Sequence, residues 1–167
     1  MFQPIARIVE KGTLLTGQGA KIVRKAQVAA MHEATQFGVR AVKERTPQGV
    51  SGAAGGLLST IQAEVRKRSS GVIGIIGTSS PYGLVVEKGR RPGKGFPPEG
   101  SMLRWIEVKM GVSREEAERI EFPLRRAIAK KGTKGAFMFE QTLKEDWQDF
   151  QRIFDRHGVT IARELDK

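Results

Sequence analysis

The chain has 167 residues, enough for one ordinary domain with its own core, and its 39% hydrophobic and 28% charged residues are typical of a soluble globular protein. The absence of cysteine excludes disulfides, thiolate nucleophiles and cysteine-based zinc sites. The net charge is +11, and no stretch approaches the roughly 18 apolar residues of a membrane span. We therefore expect a single domain over 1–167 with no membrane partner.

Most of the positive charge lies in the first two-thirds of the chain. Residues 1–100 hold 15 Lys and Arg against 6 Asp and Glu, a net charge of +9, whereas residues 101–167 contribute +2. Such an excess favours contact with a polyanion or with an acidic protein surface. Charge alone leaves a basic surface without a dedicated partner as an equal alternative.

A long first helix is predicted from about Gln18 to Arg45, after an N-terminal arm at 1–17. Apolar residues recur at steps of three and four along one helical face, namely Ile22, Ala26, Ala30, Ala34, Phe37 and Ala41. Thr46 should end the helix, because the residue before a proline is disfavoured in helical geometry. The glycine-rich segment 47–56 predicts an extended loop.

A small antiparallel sheet is predicted next. Residues 60–68 alternate apolar and polar side chains with the period of a half-buried strand, 69–71 form a turn, and 72–79 return as a second strand. A third apolar run at 82–89 is expected to join the sheet before an extended loop at 87–100. The fold class is therefore α+β, with a long N-terminal helix packed on a small antiparallel sheet.

Several C-terminal helices follow in this prediction. Ser101 is expected to cap a helix that stops at Gly111, and residues 113–116 have the spacing of a capping box for the next helix. Pro123 should break that helix or open a new one, which then ends at Gly132.

A last helical stripe precedes a polar C-terminal tail at 158–167. Its apolar residues step by four, four, three and four, and they are Phe139, Leu143, Trp147, Phe150 and Phe154. This spacing is typical of a side that faces the core. The helical spacing of Trp105, near Met102 and Ile106, leaves a core position open as the alternative to a contact at the surface.

The polar residues indicate no catalytic, metal or cofactor site. His32 and His157 lack Ser or Asp partners at a recognisable spacing, so we expect both to be structural or solvated. The acidic clusters are interpreted as solvated helix faces, and they comprise Glu115, Glu116, Glu118, Asp146 and Asp149. We predict that the protein is not an enzyme, and a small hydrolase that uses His157 is the weakest alternative.

Two basic glycine turns occur in the sequence, "VEKGRRPGKGFPP" at 86–98 and "KKGTKG" at 130–135. The first fails the Walker A pattern, because only three residues separate Gly89 from Gly93 and no Ser or Thr follows Lys94. The second is explained by a helix C-terminus, where lysines suit the helix dipole. If both turns face one surface, they form a stripe that can contact phosphates. The sequence leaves that condition open.

Three segments, taken in order, resemble a known family. They are "ERTPQGVSGAAGGLLSTIQAEV" at 44–65, "YGLVVEKGRRPGKGFPPEGSMLRWIEVKMG" at 82–111 and "LRRAIAKKGTKGAFMFEQTL" at 124–143. Their order and spacing are similar to those of the HK97 gp10-like family, the tail-completion and head–tail joining proteins of long-tailed phages. The resemblance covers roughly 40–145. The glycines of 52–56 and the Gly-Lys-Gly at 93–95 lengthen two turns relative to the family pattern.

The resemblance implies a non-enzymatic virion protein, a connector in the phage neck that joins tail to head around the DNA channel. It implies a homo-oligomeric ring, six-fold in symmetry, with neighbouring neck and tail-terminator proteins as partners. Assembly would take place in the cytoplasm of the bacterial host. Nonspecific contact with genomic DNA in the lumen is compatible with this role, and no cofactor is implied.

The residues expected to contact other subunits, partner proteins or DNA lie on the two basic turns and on the helix after the first turn. They are Arg90, Arg91, Lys94, Phe96, Trp105, Lys130, Lys131 and Lys134. The alternative function is a nucleic-acid-binding protein that contacts the phosphate backbone without reading sequence. Aromatic residues are too poorly interleaved with the basic ones to favour recognition of bases.

Overall fold

The fold is α+β and mostly helical, which confirms the predicted fold class. A computed structural model describes residues 18–49 and 56–166, so the predicted arm at 1–17 and most of the loop at 47–56 lie outside the described residues. In chain order the elements are α1 (Gly19–Arg45), α2 (Leu57–Thr60), β1 (Ile61–Arg68), β2 (Gly71–Thr78), α3 (Gly83–Lys88), β3 (Gly89–Arg90), α4 (Leu103–Met110), α5 (Arg114–Lys131), β4 (Thr133–Lys134), α6 (Met138–Glu145) and α7 (Trp147–Leu165).

The long helix α1 begins within one residue of the predicted start and ends at the predicted residue. Its buried positions carry small or branched apolar side chains, namely Ala30, Ala34, Ala41 and Val42. The next residue after the helix is Thr46, whose hydroxyl donates a hydrogen bond to the carbonyl of Val42 at 2.6 Å. This bond satisfies a carbonyl in the last turn, and the following proline prevents the helix from continuing.

The strands β1 and β2 form the predicted antiparallel hairpin, with Ser69 and Ser70 in the turn. Gly74 of β2 lies against α1, because a Cβ built there would be 2.6 Å from the Met31 sulfur and 2.5 Å from the Thr35 methyl group. Real Cβ atoms do not approach neighbours so closely. Glycine at 74 therefore serves close packing of the helix on the sheet, as the predicted fold requires.

The described residues form two compact units, each built from segments that are distant in sequence. The first unit comprises 18–37, 63–75 and 147–166, and the second comprises 38–49, 56–62 and 76–146. In the first unit, Phe37 and Phe150 meet edge to face with ring centroids 5.1 Å apart. The expectation of a single domain over the whole chain stays a prediction.

The second unit contains two hydrophobic clusters. The first is centred on Val42, Ile61 and Met138. The second packs α4 against α5, and its fully buried members are Leu103, Ile106 and Ala117. The second unit also holds the basic glycine turns, so these clusters provide the support on which the candidate site is built.

The apolar run at 82–89 is a helix and not a third strand, so that part of the sequence prediction is wrong. The amide of Val86 donates to the carbonyl of Tyr82 at 2.9 Å, as in a helical turn. Leu84 and Val85 of this helix are exposed. Short apolar runs cannot be assigned to strand or helix by periodicity alone, and here the alternation needed for a strand is absent.

Two predicted helix boundaries are also wrong. Pro123 lies inside α5, which continues to Lys131 because Ile120 and Leu124 pack into the cluster with α4 on either side of it. Ser101 does not cap α4, which begins after Met102. The predicted capping box at 113–116 and the C-terminal glycines at 111 and 132 are confirmed.

The predicted last stripe is divided between α6 and α7 at Asp146. The carboxylate of Asp146 accepts two hydrogen bonds from the Arg45 guanidinium, at 2.8 and 2.9 Å. Leu143, Trp147 and Phe154 are 61%, 52% and 39% exposed, so the core assignment is wrong for these three residues. The helix α7 continues to Leu165, so most of the predicted tail at 158–167 is helical.

Candidate functional site

The two basic glycine turns lie side by side in the second unit. The short strands β3 and β4 pair in antiparallel register, with Gly89 opposite Lys134 and Arg90 opposite Thr133. The amide of Gly93 also donates to the carbonyl of Ala129 at 2.8 Å. We call residues 88–95 and 129–135 together the basic joint. The two turns, which the sequence identifies separately, are therefore adjacent in the folded chain.

Glycine is required at the centre of the basic joint because the two backbones approach each other very closely. A Cβ built on Gly89 would overlap the Thr133 carbonyl oxygen, and one built on Gly132 would overlap the Arg90 carbonyl oxygen. Both glycines also have positive φ angles, 75° and 73°. These glycines therefore serve the contact between the two turns, and a phosphate cradle is not needed to explain them.

Arg90 closes the first turn on itself. Its guanidinium donates to the carbonyl oxygens of Lys94 and Gly95, at 2.8 and 3.0 Å. Its backbone amide donates to the hydroxyl of Thr133 at 3.1 Å. Among the predicted contact residues, Arg90 is thus engaged in the structure of the turn.

The other cations of the basic joint point into solvent. The exposed basic residues are Lys88, Arg91, Lys94, Lys130, Lys131 and Lys134. None of them takes part in an ion pair with another described residue. The segments 88–98 and 122–139 contain no Asp or Glu, so no acidic residue within either segment offsets this charge.

Phe96 lies just beyond the basic joint and is stacked on α5. Its ring is nearly parallel to that of Phe122, with an interplanar angle of 14° and centroids 6.1 Å apart. The Arg125 guanidinium carbon lies 5.9 Å from the Phe96 centroid, and its Nε donates to the Pro97 carbonyl at 2.8 Å. These contacts fix the end of the first basic turn against α5, the helix whose C-terminus leads into the second basic turn.

Trp105 lies on the outer side of α4, so its core interpretation is wrong. The inner side of this helix is buried through Leu103 and Ile106. Trp105 and Val108, which share a face at helical spacing, are 40% and 46% exposed, and Met110 is exposed as well. The helix therefore carries large apolar side chains on both sides.

Two carboxylates that the sequence reasoning missed hold the ends of helices. Glu87 accepts hydrogen bonds from the backbone amides of Phe139 and Glu140, at 3.0 and 3.1 Å, in the first turn of α6. Glu121, which is buried, accepts from the amides of Gly100 and Met102 before α4, both at 3.1 Å. The only sequence signal is indirect: α6 and α4 begin after Phe137 and Met102, which cannot cap a helix themselves.

The histidines are far from the basic joint in sequence. His32 is exposed, whereas His157 donates from Nε2 to the Glu33 carboxylate at 2.8 Å. This hydrogen bond, together with the positive charge of Arg156, holds the pKa of Glu33 below its usual value. Within 18–49 and 56–166, no group of three or more His, Asp and Glu side chains is placed to hold a metal ion.

No family model, curated protein or solved structure matches this chain. None of the helices in the described part of the chain combines the length and apolar content needed to cross a membrane.

Proposed function

We propose that this protein is a non-enzymatic structural component of a tailed-phage virion. In this role it is a tail-completion or head–tail joining protein that assembles into a ring in the neck, around the DNA channel. Its partners are further copies of itself, six-fold in the ring, and the neighbouring neck and tail-terminator proteins. The resemblance of three ordered segments to that family is one support, and the exposed apolar side of α4 is the other.

The observation that carries the proposal is the composition of α4. The helix exposes two large apolar side chains at helical spacing, and exposed apolar surface of this kind marks sites of protein interaction. Leu103 and Ile106 are covered by α5, whereas Trp105 and Val108 keep 40% and 46% of their surface exposed. Burial of Trp, Tyr and Phe is a main source of affinity in protein interfaces. A neighbouring copy supplies that cover in our proposal.

A ring requires one surface of each copy to meet a different surface of the next, so that the contacts close on themselves. The outer side of α4 is one such surface. A second is available on α3, where Leu84 and Val85 are exposed. Two apolar surfaces on distinct helices suit a closed ring better than a two-fold dimer, in which the same surface meets itself.

The test compares two double variants by native mass spectrometry and negative-stain imaging. Trp105→Ser with Val108→Ser should reduce the oligomer to monomers, because it removes the apolar side of α4. Trp147→Ser with Val159→Ser is the matched control, since it makes the same chemical change at exposed positions of α7. We expect the control to keep the wild-type oligomer.

A second measurement covers assembly that requires a partner. Purified virions of the phage that carries this gene should contain the chain in a multiple of the ring copy number, as quantified by mass spectrometry. A wild-type chain that stays monomeric at high concentration and is absent from purified virions would contradict the proposal.

A further inference from the structure

We infer that the exposed cations of the basic joint form a surface that contacts the phosphate backbone of duplex DNA without reading its sequence. The inference rests on the proposed function for the identity of that DNA, the genome that crosses the neck. It selects among the predicted contact residues: the lysines and Arg91 of the joint face DNA, whereas Arg90 holds the turn.

The basic joint concentrates positive charge that no ion pair offsets. The ladder between β3 and β4 and the bond from Gly93 to Ala129 place two cationic turns against each other. Glu87 and Glu99 flank the cationic part of the first turn, and the Glu87 carboxylate is already bonded to backbone amides of α6. Like charges within a Debye length, about 10 Å at 0.1 M salt, repel each other. A polyanion removes that repulsion and releases its own counterions.

The side-chain types of the basic joint indicate which kind of polyanion it binds. The lysines that dominate the joint are compact charges on flexible stems, which suits repeated single contacts with phosphates. The segments 88–95 and 129–135 contain no Asn or Gln, the side chains that read adenine in the major groove. Phe96 is stacked on Phe122 and has Arg125 at its ring, so one face of this half-exposed ring is engaged within the chain. Contact with a duplex backbone needs neither base edges nor free rings.

A second basic surface provides the matched control. The first unit carries a cluster on α1 and β1 that includes the exposed residues Lys21, Lys25 and Lys67. Its arginines are already engaged: Arg24 donates to the carbonyl of Arg68, and Arg66 pairs with Glu64. Replacement of three lysines in either cluster lowers the net charge equally, so a difference between the two variants reports the location of the contact.

The experiment measures binding of a fluorescent duplex of about 20 base pairs by anisotropy, between about 50 and 200 mM salt, where phosphate contacts give a steep dependence. Each neutralised phosphate contributes about −0.9 to the slope of log K against log salt. The variant Lys130→Gln with Lys131→Gln and Lys134→Gln should therefore lower the magnitude of the slope by about 2.7. The variant Lys21→Gln with Lys25→Gln and Lys67→Gln should keep the wild-type slope.

Two controls address folding and partner class. Both triple variants should still unfold cooperatively in urea, because the replaced side chains are exposed, and the Lys130 variant should have a slightly lower midpoint because it loses two cations from the last turn of α5. Polyglutamate at equal charge should compete poorly with the duplex. Competition as strong as that of unlabelled duplex would indicate an acidic protein surface and would overturn the inference, as would equal loss of slope in the two triple variants.

Failure of the inference can be distinguished from failure of the proposed function. A wild-type chain that forms rings but does not bind duplex overturns the inference alone. A chain that binds duplex through the joint but never oligomerises and is absent from virions overturns the proposed function and supports the surface. If the variant Lys130→Gln with Lys131→Gln and Lys134→Gln loses duplex binding but still forms rings, the result supports both the inference and the proposed function.

Discussion

At the scale of single residues, Glu87 and Glu121 show how one carboxylate can complete the end of a helix that lies elsewhere in the chain. A helix start leaves backbone amides without intrahelical acceptors, and a negative charge there is favoured by the helix dipole. Phe137 and Met102, which precede α6 and α4, have no side-chain oxygen for this role. The two glutamates supply it from α3 and α5.

We predict that Glu87→Ala lowers the free energy of unfolding by about 1–2 kcal/mol, the range for loss of a helix cap with charge-assisted bonds. Glu87→Gln should lose less, because its amide oxygen still accepts one bond. Glu118→Ala is the control: its bridge to Arg114 is exposed, and its removal should change stability by less than about 0.5 kcal/mol. Urea unfolding measures all three. An effect of Glu87→Ala as small as the control would contradict the capping role.

Arg90 and Arg91 are adjacent arginines with different roles. Arg90→Ala should lower the free energy of unfolding by about 1–2 kcal/mol, because two hydrogen bonds that close the turn are lost. Arg91→Ala should change it by less than about 0.5 kcal/mol, since Arg91 is exposed. Urea unfolding of the single variants tests this, and equal effects would show that the turn does not depend on Arg90. A variant that replaces both residues would change stability through Arg90 and DNA contact through Arg91, so the single variants are needed to separate the two effects.

At the scale of elements, the sequence predicts what local chemistry decides. The extent of α1, the hairpin of β1 and β2, the capping box at 113–116 and the glycine at 111 follow from periodicity, turn residues and caps, and all are confirmed. The run at 82–89 is too short for periodicity alone to distinguish a strand from α3, so it was predicted wrongly. The continuation of α5 through Pro123 depends on packing of Ile120 and Leu124 against α4, which local patterns cannot report.

The candidate site likewise has features that the local sequence reveals and features that only the folded chain reveals. The sequence identifies two basic glycine turns by composition, because Lys, Arg and Gly are visible as letters. It does not predict that Gly89 lies opposite Lys134, since that pairing joins segments that are far apart in the chain. It also does not separate Arg90 from Arg91, because their difference arises only from the carbonyls that the folded turn presents.

The contact between α1 and α7 in the first unit predicts a dependence on pH. The hydrogen bond from His157 and the charge of Arg156 lower the pKa of Glu33 from its ordinary value of 4.5. A carboxyl group with a lowered pKa in the folded state stabilises the fold above its ordinary pKa, and that contribution is lost as the pH falls through the lowered value. Wild type should therefore lose stability more steeply than Glu33→Gln below pH 4.5.

Thermal unfolding of both proteins in steps from neutral to acidic pH measures this difference. Other carboxylates titrate in the same range, and the comparison with Glu33→Gln removes their common contribution. Parallel curves for the two proteins below pH 4.5 would contradict the role of the Glu33 contact.

At the scale of the whole molecule, two surfaces with different physical chemistry carry the two proposals. The outer side of α4 exposes the apolar side chains of Trp105 and Val108, whereas the basic joint is cationic, and both surfaces lie in the second unit. Apolar burial is not weakened by salt, whereas phosphate contacts are. Varying the salt concentration therefore distinguishes the contribution of α4 to assembly from that of the basic joint to DNA binding, without any mutation.

We predict that salt strengthens self-assembly and weakens DNA binding. Each copy carries a net charge of +11, so copies in a ring repel one another, and screening shortens the range of that repulsion from about 10 Å at 0.1 M to about 3 Å at 1 M salt. Sedimentation velocity at these two concentrations should show a several-fold larger assembled fraction at the higher one. The variant Trp105→Ser with Val108→Ser should stay unassembled at both salt concentrations. It lacks the apolar surface of α4, and charge screening does not replace that surface. If rings dissociate as salt rises, the interface is held by ion pairs between unlike surfaces, and α4 is not its centre.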